Sequence, residues 1–221
     1  MLITAPIAAP PADAPVVTSF LVALVISLVF WPVVAFASTA AHEGAHALTA
    51  SMFGGTVSRI TIKRGAVGKT NWKSSDAAAF VARLAGYLGP SVFGLAGALL
   101  LVRGHVTAVL WLSVVLLFAA LVLAATWFTR LVIVTIGALI VFVLKTTGAT
   151  QETFFAYTWV WFLLLAGFGH VIWHKSDAAD YADLRKDTYV PVGIWYGLYW
   201  MLTLAGLVTG GAIMFGVVHV W

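Results

Sequence analysis

The chain has 221 residues, of which 62% are hydrophobic and 9% are charged, and its mean hydropathy is +1.02. This composition leaves too little polar surface to cover a soluble globule, so the sequence predicts an integral membrane protein. The formal net charge of +4 does not indicate a nucleic-acid partner, because the basic residues are spread over short segments between apolar runs. Since the chain has no cysteine, any bound metal must be held by His, Asp or Glu.

Residues 1–15 carry four prolines and a single charge, which predicts a short disordered tail. The first apolar run follows at 16–53 and ends before Gly54 and Gly55. At about 1.5 Å per residue, one helix of that length exceeds the ~30 Å hydrocarbon core of a bilayer. We therefore expect this segment to protrude, tilt or bend, and Pro32 is the natural position for a kink.

Near the end of this run lies the hexapeptide Ala41-His42-Glu43-Gly44-Ala45-His46. Two histidines four positions apart project from the same face of a helix and can bind one metal ion together. Glu43 would then lie beside the metal, where a carboxylate can take up a proton and return it. This pattern predicts a Zn²⁺ site and metal-assisted peptide hydrolysis. The alternative is a buried, hydrogen-bonded cluster of the same three side chains without a metal.

The segment 56–73 differs in kind from the apolar runs. Residues 58–63 alternate polar with apolar and β-branched side chains, residues 64–68 have turn chemistry, and residues 69–73 can return as a second strand. This pattern predicts a small β-hairpin. A basic loop that fixes the orientation of the chain is the alternative.

Five further spans are expected at about 76–102, 106–126, 130–145, 153–173 and 191–218, with a charged segment at 174–187. The predicted fold is an all-α polytopic membrane protein of about six transmembrane helices, in one membrane domain over 16–221. Six spans place both termini on one side of the membrane, together with only two basic residues, Arg103 and Lys145. The other side receives nine: Arg59, Lys63, Arg64, Lys69, Lys73, Arg130, Lys175, Arg185 and Lys186. The positive-inside rule therefore predicts a cytoplasmic hairpin and extracytoplasmic termini, with His42 and His46 near the cytoplasmic face.

A catalytic zinc normally has three protein ligands and one open position. The predicted topology leaves these candidates for the third ligand: Asp76, His170, His174, Asp177, Asp180, Asp183 and Asp187. For His170 and His174 a packing or interfacial role is favoured. Asp177 is preferred because it lies closest to the cytoplasmic end of the fifth span, and Asp180 is the runner-up. Asp177 could instead cap the helix that follows it.

In these features the chain resembles the site-2 protease family of intramembrane zinc metalloproteases, in its short bacterial branch without a PDZ domain. The resembling segments are His42-Glu43-Gly44-Ala45-His46, Gly54-Gly55 before a hairpin, Ala85-Gly86-Tyr87-Leu88-Gly89-Pro90, and Ser176-Asp177-Ala178-Ala179 before a span that begins with Pro191. The Asn-Pro-Asp-Gly type of motif that usually supplies the family's aspartate is absent.

The resemblance implies that His42 and His46 bind zinc, that Glu43 is the catalytic base, and that an aspartate late in the chain completes the site. The Ser-Asp-Ala segment points to Asp177. The implied function is cleavage of a transmembrane or membrane-proximal segment of another protein within the lipid bilayer. The alternative is a catalytically silent relative that acts as an accessory or scaffold subunit of a larger membrane complex, such as a transporter.

Overall fold

The computed structural model of the chain describes residues 13–173 and 178–218. Over these residues the elements follow in the order α1 (Asp13–Val29), α2 (Trp31–Met52), β1 (Thr56–Ile62), β2 (Gly68–Lys73), α3 (Asp76–Val102), α4 (Val106–Val122), α5 (Trp127–Thr146), α6 (Ala149–Trp173), α7 (Ala178–Thr188) and α8 (Val192–Met214). The protein is therefore mostly helical with one small antiparallel sheet, as predicted. Most of the predicted N-terminal tail, residues 1–12, lies outside the described residues.

Four helices, α3, α5, α6 and α8, are long and apolar enough to cross a membrane. The bent pair α1 and α2 is a fifth candidate if it is counted as one span. α4 is apolar too, but its 17 residues lie at the short limit of about 17–25 for a transmembrane helix. The described residues thus form a multi-pass membrane protein with four to five candidate spans. The predicted number of six, and the side on which the termini lie, stay predictions.

The first apolar run is divided into two helices that meet at an angle of 104°. The break falls at Phe30, and Pro32 lies in the first turn of α2. Proline is tolerated there because the N–H groups of the first turn have no partner within the helix. The expected bend is therefore found two residues before Pro32, as the start of a new helix rather than a kink inside a continuous one.

Helix boundaries differ from the predicted spans where local hydrogen bonds set them. α5 begins at Trp127 rather than at 130, because the Thr126 hydroxyl caps it by accepting a hydrogen bond from the Thr129 N–H at 3.1 Å. α6 begins four residues before the predicted 153, and α8 ends at Met214, ahead of Gly216 with φ +69°. α3 has the predicted bounds.

α6 lies at the centre of the bundle and packs against α1, α3 and α8. Its buried side chains include Tyr157, Val160 and Leu164. α3 approaches α6 closely at Gly97, where an added Cβ would lie 2.6 Å from the Val160 Cγ2 atom. Such contacts between glycine and aliphatic side chains are common between membrane helices, where packing rather than water drives association.

β1 and β2 pair from Thr56 opposite Lys73 to Ile62 opposite Gly68, which confirms the predicted hairpin. The connection turns through Gly65 and Ala66, whose φ angles of +84° and +57° lie in the left-handed region. The turn is fixed to α2, because the Thr39 hydroxyl donates to the Ala66 carbonyl at 2.7 Å.

The outer edge of β1 is covered by the connection between α4 and α5. The Ile60 N–H donates to the Leu123 carbonyl at 2.8 Å, and the Ile60 carbonyl accepts from the Ala125 N–H at 2.9 Å. The Ile62 N–H donates to the Thr129 hydroxyl at 2.9 Å. The outer edge of β2, by contrast, receives no backbone hydrogen bond from another element of the described chain.

Candidate metal centre

α2 buries three ionisable side chains within the protein. His42, Glu43 and His46 are 3%, 4% and 2% exposed. α3 makes room for the two histidines with Gly86, where an added Cβ would lie 2.8 Å from His42 Nε2 and would overlap the His46 ring. Burial of three ionisable groups in a membrane bundle is costly unless they bind one another or an ion.

His42, His46 and Asp180 bring one ligand atom each to a single point. The two Nε2 atoms are 3.0 Å apart, and Asp180 Oδ2 lies 3.1 Å from His42 Nε2 and 3.2 Å from His46 Nε2. In a tetrahedral zinc site with bonds of about 2.0–2.1 Å, neighbouring ligand atoms lie about 3.3 Å apart. The three atoms therefore have the size and chemistry of one face of a zinc tetrahedron.

The hydrogen bond of His46 fixes which of its nitrogens can bind a metal. Nδ1 lies 2.7 Å from the Ala82 carbonyl of α3, and because a carbonyl only accepts, Nδ1 carries the proton. In the neutral ring the lone pair is then on Nε2, where it faces the Asp180 carboxylate. Two acceptors at that distance repel each other unless a cation, either a proton or a metal ion, lies between them. A backbone carbonyl on the outer nitrogen is also the usual support of a metal-binding histidine.

Asp180 is carried by α7, which is held to the bundle at three points. Leu184 is fully buried, Tyr181 stacks on Tyr87 with ring centroids 4.7 Å apart, and Asp187 forms an ion pair with Arg83 of α3. Burial raises the pKa of Asp180, but hydrogen bonds from the two histidines outweigh it and hold the pKa well below its ordinary value. Asp180 is therefore a carboxylate in the site.

Glu43 faces the hairpin instead of the three ligand atoms. The Thr70 hydroxyl lies 2.6 Å from Glu43 Oε2, to which it donates, and Oε1 lies against Gly68, where an added Cβ would overlap the carboxylate. Gly68 and Thr70 are two apart on β2, so both lie on the side of the strand that faces α2. The hairpin thus fixes one oxygen of Glu43 and leaves room for the other.

His170 packs against the site without contributing to the group of three ligand atoms. Its ring stacks on that of His42 with centroids 4.7 Å apart, and its Nδ1 lies 3.1 Å from the Ser38 hydroxyl. This arrangement agrees with the packing role favoured from the sequence.

The other candidates for the third ligand have different surroundings. Asp76 is exposed in the first turn of α3, Asp183 pairs with Lys186 at 3.1 Å, and Asp187 pairs with Arg83. His174 and the preferred Asp177 lie outside the described residues. Among the described residues, the runner-up Asp180 is the aspartate that lies beside His42 and His46.

Two residues that hold Glu43 were not singled out from the sequence, Gly68 and Thr70. The signal that could have found them is the alternation of β2, which places Gly68, Thr70 and Trp72 on one side of the strand. Trp72, on the side of β2 that faces α2, stacks on His46 with ring centroids 5.4 Å apart.

The fold and the site together define a multi-pass membrane protein with a His-Glu-x-x-His helix and a nearby aspartate. A family model described as Peptidase M50B-like matches residues 15–211. The chain therefore belongs to the Peptidase M50B-like family, which is part of the site-2 protease family, and the resemblance drawn from the sequence is confirmed. Comparison with curated proteins and with solved structures gave no significant match. Peptidases of this family are zinc metallopeptidases.

Proposed function

We propose that the protein is an intramembrane zinc metalloprotease that cleaves a transmembrane or membrane-proximal segment of another membrane protein. His42, His46 and Asp180 would be the metal ligands. The observation that carries the proposal is the triangle of their three ligand atoms, with sides of 3.0–3.2 Å, at a helix that also buries Glu43 between the two histidines in sequence. Membership of a family of zinc metallopeptidases supports the choice of metal.

A zinc ion bound here would act as a Lewis acid toward water and the scissile carbonyl. The chain's own groups supply the proton transfer. Thr70 donates to Glu43 Oε2 and so leaves Oε1 as the oxygen that can accept a proton from the attacking water and pass it to the leaving amine. His46 is held in the required tautomer by Ala82. Exclusion of bulk water by the buried α2–α3 interface strengthens each of these interactions.

The outer edge of β2 is the surface that we assign to an unwound segment of the substrate. The N–H and carbonyl groups of Ile60 point away from β2. In an antiparallel pair the opposite residue points the other way, so the N–H and carbonyl groups of Thr70 point away from β1, toward the outer edge of β2. Since a strand repeats every two residues, the backbone groups of Gly68 and Trp72 also point toward this outer edge. No backbone hydrogen bond to these three residues comes from other elements of the described chain. An extended peptide could add to this edge by β-augmentation and would lie beside Glu43.

The orientation that we propose places the hairpin and the site near the cytoplasmic face and both termini outside the cell. The uneven distribution of Lys and Arg supports it. Because the chain has no cysteine, single cysteines test it cleanly: Val67→Cys on the exposed hairpin turn and Thr150→Cys in the exposed first turn of α6. A reagent that cannot cross the membrane should label position 150 and not position 67 in intact cells. The reverse labelling contradicts the orientation.

Cleavage and zinc content test the function together. Glu43→Gln should abolish cleavage of a model transmembrane substrate and keep the bound zinc, because the amide cannot take up the proton. His46→Ala should lose both. Full cleavage by Glu43→Gln would exclude the proposed mechanism. Intact, zinc-free wild-type protein that copurifies with fixed partners would favour the accessory-subunit alternative.

A further inference from the structure

The face of the hairpin that points away from α2 is basic. Its cations alternate along the two strands and the turn: Arg59, Lys63, Lys69 and Lys73, all of them exposed. We call these four residues the basic face. The opposite side of the hairpin carries Ile60, Ile62, Gly68, Thr70 and Trp72, which face the protein.

The charge of the basic face is not neutralised within the described part of the chain. None of its four cations forms an ion pair there. The sequence itself contains no acidic residue between Glu43 and Asp76, so the hairpin has no carboxylate of its own. Unpaired cations on one face of a strand attract carboxylates on a neighbouring strand, since opposite charges are favourable across strands.

Lys69 and Lys73 are the two members of the basic face on β2, the strand with the open edge. They are four residues apart, or about 13 Å at ~3.3 Å per residue. In a peptide that pairs with this edge, successive side chains point to opposite sides of the sheet, as they do in β2. Its side chains on one side point toward Glu43 and His46, and those on the other side lie beside Lys69 and Lys73.

We propose that the basic face selects substrates whose unwound segment carries carboxylates at same-side positions, with a spacing of four residues that matches Lys69 and Lys73. This inference rests on the proposed function, because it assigns the specificity of the edge that receives the substrate. The substrate class is a membrane-proximal segment with acidic residues four apart and with uncharged residues between them.

The composition of the basic face favours an acidic peptide over an anionic lipid surface. The exposed Trp127 of α5 lies near Thr61 and Lys63 at the β1 end of this face. On β2, which has the open edge, the polar Asn71 lies between Lys69 and Lys73, and the aromatic Trp72 faces α2. Surfaces that bind lipid headgroups usually combine cations with aromatic or aliphatic side chains that enter the bilayer. Asn71 and Thr61 also offer hydrogen bonds of the kind that an extended peptide uses.

The test measures binding of labelled ten-residue peptides to full-length Glu43→Gln protein in detergent, so that no peptide is cut. The first peptide carries Glu at positions i and i+4, which lie on the same side of a strand. The second carries Glu at i and i+3, with equal charge on opposite sides. The third carries Gln at i and i+4. Fluorescence anisotropy gives the three dissociation constants.

We expect the first peptide to bind about tenfold more tightly than the third, from two cross-strand pairs, and about threefold more tightly than the second, which keeps one pair. The double substitution Lys69→Gln and Lys73→Gln should abolish this preference, and added salt should weaken it. The matched control Arg130→Gln removes a charge from α5, outside the basic face, and should leave the preference unchanged.

Equal binding of the three peptides, or binding of none, overturns the inference. Loss of copurifying phosphatidylglycerol in the lysine variants, without any peptide preference, would assign the basic face to lipid and overturns it as well. These failures are distinguishable from failure of the proposed function, which is decided by the zinc content and by cleavage in wild type and Glu43→Gln protein.

Discussion

Gly68→Ala separates the proposed catalytic base, Glu43, from the proposed metal ligands. The added Cβ would lie 2.6 Å from both Cγ and Cδ of Glu43 and still closer to Oε1. Since carbon atoms pack at about 3.5–4.0 Å, the carboxylate must move by about 1 Å. A displacement of that size can cost about 100-fold in rate. We therefore expect kcat for cleavage of a model transmembrane substrate to fall about 100-fold, or about 2.7 kcal/mol in the barrier.

Zinc content should stay at the wild-type value in the same variant, because the three atoms nearest to a Cβ at position 68 all belong to Glu43. Gly86→Ala is the converse change: its Cβ would lie 2.8 Å from His42 Nε2 and would overlap His46, so it should lose zinc. Gly44→Ala is the matched control, because an added Cβ there meets no atom within 4 Å. It should keep both zinc and activity.

The assay is metal analysis of purified protein together with single-turnover cleavage, and thermal unfolding shows that each variant is folded. Wild-type cleavage by Gly68→Ala would refute the inference that Glu43 acts from its place against β2. Loss of zinc from Gly68→Ala would show that the base and the ligands are not separable in this way.

Three further predictions concern the parts that hold the site. Asp180→Ala should lose most of the bound zinc, measured by metal analysis, whereas loss in Asp177→Ala alone would assign the third ligand to Asp177. Thr70→Val removes the hydrogen bond to the catalytic carboxylate, so kcat should fall about tenfold at unchanged zinc content, and an unchanged kcat would contradict this role. Arg83→Gln breaks the ion pair with Asp187 that holds α7. Zinc affinity, measured by chelator competition, should fall about threefold, and Asp187→Asn should match it.

Most of the fold could be predicted from the sequence because its signals are local. Apolar run length identified the helices, and the two-residue alternation at 56–73 identified the hairpin. The break at Phe30 could not be located in this way. Proline permits both a kink inside a helix and the start of a new one, and the packing of α2 against α3 selects the second.

The ligand pair of α2 was predictable for the same reason, since His42 and His46 lie one turn apart on one helix. The support of the site was not, because it joins elements distant in sequence. Ala82 contributes its backbone carbonyl, and because every residue has one, the residue type at position 82 does not indicate this role. Thr70 reaches Glu43 across 27 positions, and only the pairing of the hairpin with α2 brings them together.

The third ligand shows most clearly where reasoning from the sequence stops. From the sequence, Asp177 is preferred because it lies closest to the cytoplasmic end of the fifth span and because the resemblance of the Ser-Asp-Ala segment points to it. Asp177 lies outside the described residues, so this preference stays a prediction. α7 packs against α3, anchored by Leu184 and by the pair of Asp187 with Arg83. This packing places Asp180, which lies one turn before Leu184, beside His42 and His46. Which of the three aspartates of α7 faces the histidines thus depends on the rotation of that helix, which tertiary packing determines and local sequence does not.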